Sequence, residues 1–163
     1  EAFIASGMKA NTCRVGLSFV PGRLKECIDF AADKTVVESS SGRIARDLCI
    51  HSEYLTSPQF CRDLAGANRE LKRPVHLHAS ETSLEHEECI RRHGMTPMKY
   101  LDSVGLLDYG AYAAHCGYCT DDDFRIMKDK NVTLVHNPTS NLKLGSGIAM
   151  NSIVYLILHH FKE

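Results

Sequence analysis

Four short apolar runs in this 163-residue chain each close at or beside a histidine: His51, His78, His115 and His136. The intervals between these histidines are 27, 37 and 21 residues, and each is long enough for a helical return. Helix signals fill them. Ser57-Pro58 offers an N-cap and a proline at the first helical position, and Phe60, Leu64, Ala67 and Leu71 follow on one helical face. Thr82-Ser83-Leu84-Glu85 fits a capping box for a helix ending near His93-Gly94, and Thr96-Pro97 starts another that runs to about Val104. Thr120 to Asp123 caps a helix carrying Phe124 and Met127. Strand and helix therefore alternate, which predicts an α/β fold with a parallel sheet, open or closed.

The same pattern predicts strands over 12–20, 47–51, 74–79, 111–115 and 132–136. Pro21-Gly22 turns into a helical segment marked by Leu24, Cys27, Ile28 and Ala31, and residues 36–42 read as a serine-rich loop. Met95, Met98 and Met127 are expected as core fillers. Asp121, Asp122 and Asp123 suit a first helical turn better than a metal site, and Gly145-Ser146-Gly147 is expected to turn the chain into a final helix.

Composition narrows the functional classes. The chain is 44% hydrophobic and 24% charged with a net charge of -1, as expected of a soluble globular domain without broad affinity for nucleic acid or anionic membranes. Its longest apolar stretch, residues 153–158, is far below the roughly 20 residues that span a bilayer. No signal-peptide pattern opens the chain, so a cytoplasmic location is expected. Glu1 is not an initiator methionine, which fits a segment of a longer polypeptide. Seven scattered cysteines suit reduced thiols better than a disulfide scaffold. Cys116-Gly117-Tyr118-Cys119 is the one close pair. It lacks the paired histidines of a zinc finger and is a weak redox signal alone.

In parallel βα architectures the loops after the strand ends build the functional site. One strand-end histidine reads as a structural hydrogen-bonding residue, whereas four in succession read as a functional set. The densest stretch is His76-Leu77-His78-Ala79-Ser80-Glu81-Thr82. On a strand, His76 and His78 share a face, with His76 one layer deeper. His76 is therefore expected to be a buried polar filler. His78 is a candidate zinc ligand, and Glu81, on the loop beyond it, is a candidate proton shuttle.

That stretch, with Ala114-His115-Cys116 and the run from His136 to Gly145, resembles successive motifs of the amidohydrolase superfamily. The nearest branch is the group of 5'-methylthioadenosine/S-adenosylhomocysteine deaminases and related chlorohydrolases, and the likeness runs from about Asp47 to Ala149. The resemblance implies a (β/α)8 barrel holding one divalent metal, usually zinc. It implies that His78 is the fifth-strand metal ligand and Glu81 the proton-transferring acid. His115 would orient the attacking water and stabilise the tetrahedral intermediate, His51 would contact the substrate, and Arg23 would grip the substrate's distal end.

Two departures accompany the likeness. The family's first-strand His-x-His pair has no counterpart here, and neither has its eighth-strand aspartate, because residues 151–163 do not match. A complete barrel needs roughly 250 residues. The expected organisation is therefore a partial TIM barrel, about strands 3 to 7, over residues 1–149, with residues 150–163 as a tail outside the pattern. The expected function is zinc-dependent hydrolytic deamination of an adenosine-type or other aminated heterocycle, a small-molecule substrate. Guanine deaminases and triazine chlorohydrolases share the motifs. The alternative from another class is a non-catalytic remnant, and the 163 residues alone are expected to be inactive. A cytidine-deaminase-like site is excluded, because its H-x-E and P-C-x-x-C signature is missing.

Overall fold

Five parallel strands pair side by side in the order in which the chain makes them. They are β1 (Ala10–Cys13), β2 (Ile44–Cys49), β3 (Val75–Ala79), β4 (Ala111–His115) and β5 (Val132–Val135). The computed structural model describes residues 2–146. The sheet order never reverses, unlike a doubly wound sheet, whose order turns back at a switch point. In-order parallel strands joined by helical crossovers are the repeating wall of a (β/α)8 barrel.

A short α1 (Ala2–Ser6) precedes β1, and helices fill each crossover: α2 (Arg23–Ala32) and α3 (Thr35–Ser39), α4 (Pro58–Leu71), α5 (Ser83–His93) with α6 (Pro97–Ser103), and α7 (Asp121–Asp129). α8 (Pro138–Lys143) follows β5. The strand alternation separates two faces. Leu48, Ile50, Val75, Leu77, Ala79, Ala111 and Ala113 join one core with Cys27, Leu64, Cys89, Met98 and Phe124 from the helices. Each such buried Leu or Phe contributes about 1.5–3 kcal/mol. The intervening positions, among them Asp47, His76, His78 and Tyr112, lie on the opposite face. Among the described residues no helix is long and apolar enough to cross a membrane.

The helix starts follow from local chemistry. Ser57, Thr82, Thr96 and Thr120 each accept the backbone N–H three residues on, and Thr120 with Asp123 completes a reciprocal capping box. Asp123 is buried and also accepts the hydroxyl of Thr96, tying α7 to α6. At the other end of α5, Gly94 takes the left-handed conformation that closes the helix.

Two expectations are corrected. The strand predicted over 12–20 covers only Ala10–Cys13, with one further bridge between Gly16 and Ile50. A Cβ on Gly16 would lie 2.8 Å from the Cys49 carbonyl oxygen and 2.8 Å from the Phe60 ring, so only glycine permits this close approach. The predicted loop at 36–42 contains α3 at its start, because local i to i+4 bonding satisfies that backbone despite its serines. Gly147, the apolar stretch at 153–158 and the boundary between 149 and 150 lie outside the described residues.

His76 occupies the deeper layer as predicted, and its partner is Asp47, on the neighbouring strand. Its Nε2 lies 3.0 Å from the buried Asp47 Oδ2, and its ring lies 4.7 Å from that of Tyr112. The Asp47 hydrogen bond raises the His76 pKa above its ordinary value, outweighing burial. A base whose folded pKa is raised stabilises the fold fully below its unfolded value, about 6.5, and loses that contribution as pH rises through the folded value. The stability gap between the native chain and Asp47→Asn, measured by urea unfolding, should therefore be larger at about pH 6 than at about pH 8. A gap that stays constant or grows with pH would contradict this pairing.

Candidate functional site

The carbonyl oxygen of His51 accepts two hydrogen bonds from one residue: the His78 backbone N–H at 3.0 Å and the His78 imidazole Nδ1 at 2.7 Å. A carbonyl can only accept, so His78 carries its proton on Nδ1 and leaves the Nε2 lone pair free. That arrangement prepares an imidazole to ligate a metal. The rings of His51 and His78 lie 4.7 Å apart, and those of His78 and His115 lie 5.4 Å apart and stacked. Burial lowers the His51 pKa, and the neighbouring His78 lowers it further, which favours the neutral ring.

His115 arrives by an unusual turn. Strand alternation would put it on the helix-facing side with Ala111 and Ala113, yet its ring stacks on His78 from the opposite face. The cause is a left-handed backbone, with φ of 73° at His115 and 51° at Cys116. The Cys116 N–H donates to Ala79 O at 3.0 Å, and the Tyr118 N–H donates to Ser80 O at 3.2 Å, so this turn is fastened to the loop after β3. Ser80 is also left-handed, with φ of 51°. Such conformations cost about 1–3 kcal/mol each and persist only where surrounding bonds fix them.

Glu81 sits between Ser80 and the start of α5. Its Oε1 lies 3.4 Å from His115 Nε2. A cavity of about 340 Å³ opens beside it, bounded by Tyr54, Leu84 and Arg92. The structure thus gathers His51, His78, Glu81 and His115 at one set of strand ends. Arg23 stands apart from them: it begins α2, pairs with Glu26 at 2.9 Å, and makes no hydrogen bond, ion pair or ring contact with the other four. His136 follows β5, and its buried Nδ1 has no partner among the described residues.

Three supporting residues were not singled out as functional from the sequence. Asn141 accepts from His115 Nδ1 through Oδ1 at 2.7 Å. Glu85 was read only as a capping glutamate. Its carboxylate instead reaches the loop before the helix, accepting the N–H groups of Ser80 at 3.1 Å and Glu81 at 2.7 Å. Burial pushes the Glu85 pKa up against the pull of these donors. Glu53 is the third.

Glu53, Cys89 and His93 offer three donor atoms within 4.8 Å of one another, the one such cluster among the described residues. These donors are already engaged with each other. Glu53 bonds His93 Nε2 at 2.7 Å and Arg92 at 2.5 Å, and the guanidinium balances its charge. The cluster acts as a clamp between α5 and the loop after β2. The strand-end site is separate from it, with His78 the residue best prepared to contribute to a metal centre.

The Glu85 contacts generate a test. Glu85→Ala leaves the Ser80 and Glu81 N–H groups without their acceptor, which should cost about 2–4 kcal/mol. Amide hydrogen exchange at Ser80 and Glu81 should accelerate more than exchange in β3 itself. Unchanged protection at both amides would remove Glu85 from this role.

Residues 20–153 match the amidohydrolase family. The chain is 37% identical over 150 residues to a 5-methylthioadenosine/S-adenosylhomocysteine deaminase from Acetivibrio thermocellus, covering 91% of this chain and 35% of that protein. Over 151 residues it is 34% identical to the protein of the same name from Dictyoglomus turgidum, again covering 35% of it. The chain thus spans about a third of the length of the curated relatives it matches. Among solved structures, an adenosine deaminase from Xanthomonas campestris with bound zinc superposes with a TM-score of 0.73 at 26% identity, over 90% of this chain and 34% of that one. A guanine deaminase from C. acetobutylicum shares the fold with a TM-score of 0.78 at 23% identity, over 95% of this chain and 39% of that one. The sequence match and the in-order parallel βα architecture agree: this chain belongs to the amidohydrolase family.

Proposed function

We propose that these strand ends form part of the active site of a metal-dependent hydrolase that deaminates an adenosine-type heterocycle. One observation carries the reading: the Nε2 atom of His78 is left free by a fixed tautomer, beside His115 and Glu81 at a single set of strand ends. The relatives support it, since those named above are called deaminases. A divalent metal such as zinc, when bound, supplies a Lewis acid that lowers the pKa of its water towards neutrality.

Each residue then has a task. His78 would hold the metal through Nε2. His115 would orient the attacking water. Glu81, within reach of His115, would carry a proton to the ring nitrogen beside the carbon that loses its amino group. His51, its ring tilted against that of His78 and its pKa lowered by burial, would contact the substrate ring. Arg23 enters the proposal on the sequence pattern alone, as a contact for the substrate's distal end. Guanine-type and chlorotriazine substrates are the variants of this reading.

A catalytic zinc site normally takes three protein ligands, and of the residues at these strand ends only His78 is assigned that task. The full site therefore draws on donors outside these strand ends, and the 163 residues by themselves are proposed to bind zinc weakly and to lack turnover. That also favours, for the isolated chain, the reading of a part without independent activity.

The test belongs to the full-length polypeptide. His78→Ala should lose metal and activity together. Glu81→Gln should keep its metal while turnover falls about 10²–10⁴-fold, the range a positioned proton-transfer group contributes. Metal analysis beside steady-state kinetics separates the two. Near-normal turnover in Glu81→Gln would end the assignment of the proton shuttle.

A further inference from the structure

We propose that Asn141 is a positioning residue that sets the tautomer of His115, holding its proton on Nδ1 and presenting a bare Nε2 to the site. The catalytic meaning of this device rests on the reading above, but its existence does not.

Three observations carry it. First, His115 is buried and its Nδ1 lies 2.7 Å from Asn141 Oδ1, the short end of the range for an N–H···O bond. An amide oxygen only accepts, so the imidazole donates. Second, the other ring nitrogen makes no hydrogen bond among the described residues. Nε2 stands 3.4 Å from Glu81 Oε1, longer than the 2.7–2.9 Å of a charge-assisted bond between such partners. A lone pair on Nε2 facing a carboxylate oxygen leaves two acceptors opposed, an arrangement that suits a donor between them: a water, a substrate N–H or a transferable proton. Third, Asn141 is itself fully buried, and its Nδ2 has no partner among the described residues. A buried amide with an unmet donor is a poor stability device, and the bond it does make is to His115.

The stacked neighbour shows the same pattern by a different route. His78 is fixed with Nδ1 protonated by the His51 carbonyl, and His115 by the Asn141 side chain. Two adjacent imidazoles are thus both prepared to present Nε2. With the left-handed backbone at His115 turning the ring and Asn141 setting its proton, position and protonation come from separate parts of the chain.

The experiment reads the tautomer directly. Long-range proton–nitrogen correlation spectra of the isotopically labelled chain, recorded at mildly alkaline pH, distinguish a protonated from a bare ring nitrogen. His115 in the native chain should show a protonated Nδ1 and a bare Nε2. Asn141→Ala should shift its Nδ1 resonance towards the unprotonated position, while Asn141→Asp, which keeps an acceptor oxygen, should retain the native pattern. His78 serves as the internal control, because its proton is held by a backbone carbonyl. If its pattern is unchanged in Asn141→Ala, loss of the fold is not the cause of the shift at His115. A native His115 protonated on Nε2 alone, or an Asn141→Ala chain that keeps Nδ1 protonated, overturns the proposal. Absence of deamination by the full-length polypeptide would end the deaminase reading instead, and would leave this tautomer result standing.

Discussion

The doubly used carbonyl of His51 ties the sheet to the site. Just past the end of β2, it accepts one bond from the backbone of His78 and one from the ring of the same residue. The β2–β3 register therefore also dictates the orientation and tautomer of His78. A slip of one residue would turn His78 to the helix-covered face and bring Leu77 into its place. No separate side chain is needed to hold His78, because the register already does so.

The next strand end requires more. His115 reaches the site only because its backbone leaves the extended region, and the left-handed positions Ser80, His115 and Cys116 gather where β3 and β4 end. Their strain is held by a lattice of local bonds: Cys116 to Ala79, Tyr118 to Ser80, and the Glu85 carboxylate to Ser80 and Glu81. The buried clamp of Glu53 with Arg92 and His93 closes the same region from the β2 side, fixing α5 against the loop that carries His51. Breaking one partner of a buried pair leaves a charge uncompensated, so such clamps resist local opening.

Below the site, the Asp47–His76 pair fills the deeper layer, with the Tyr112 ring against His76 and the Tyr112 hydroxyl accepting from Asn11. This separates two chemically similar histidines on one strand. His76 is occupied by a carboxylate and carries a raised pKa, whereas His78 keeps a free ring nitrogen. The cysteines add no covalent constraint: no disulfide joins any of the seven. Cys116 and Cys119 are buried, which suits packing beside the site rather than an exposed redox pair.

Local sequence determined the elements whose signals are local. Caps at Ser57, Thr82, Thr96 and Thr120 and the closing Gly94 placed four helices, and the strand at 111–115 was legible residue for residue, because capping and alternation act within one turn or one strand. The strand-end positions of His51, His78 and His115, and of Glu81 on the loop beyond β3, were legible from their spacing and motifs. The short β1, with Gly16 pressed against Cys49, was not, since only the neighbouring strand and Phe60 reveal that close approach. Nor were the partnerships of His76 with Asp47, 29 residues away, and of His115 with Asn141, 26 residues away. Side-chain identity announces what chemistry is possible. Which ring nitrogen is free, and which face it meets, depends on strand register and left-handed turns that form only when distant segments pack together.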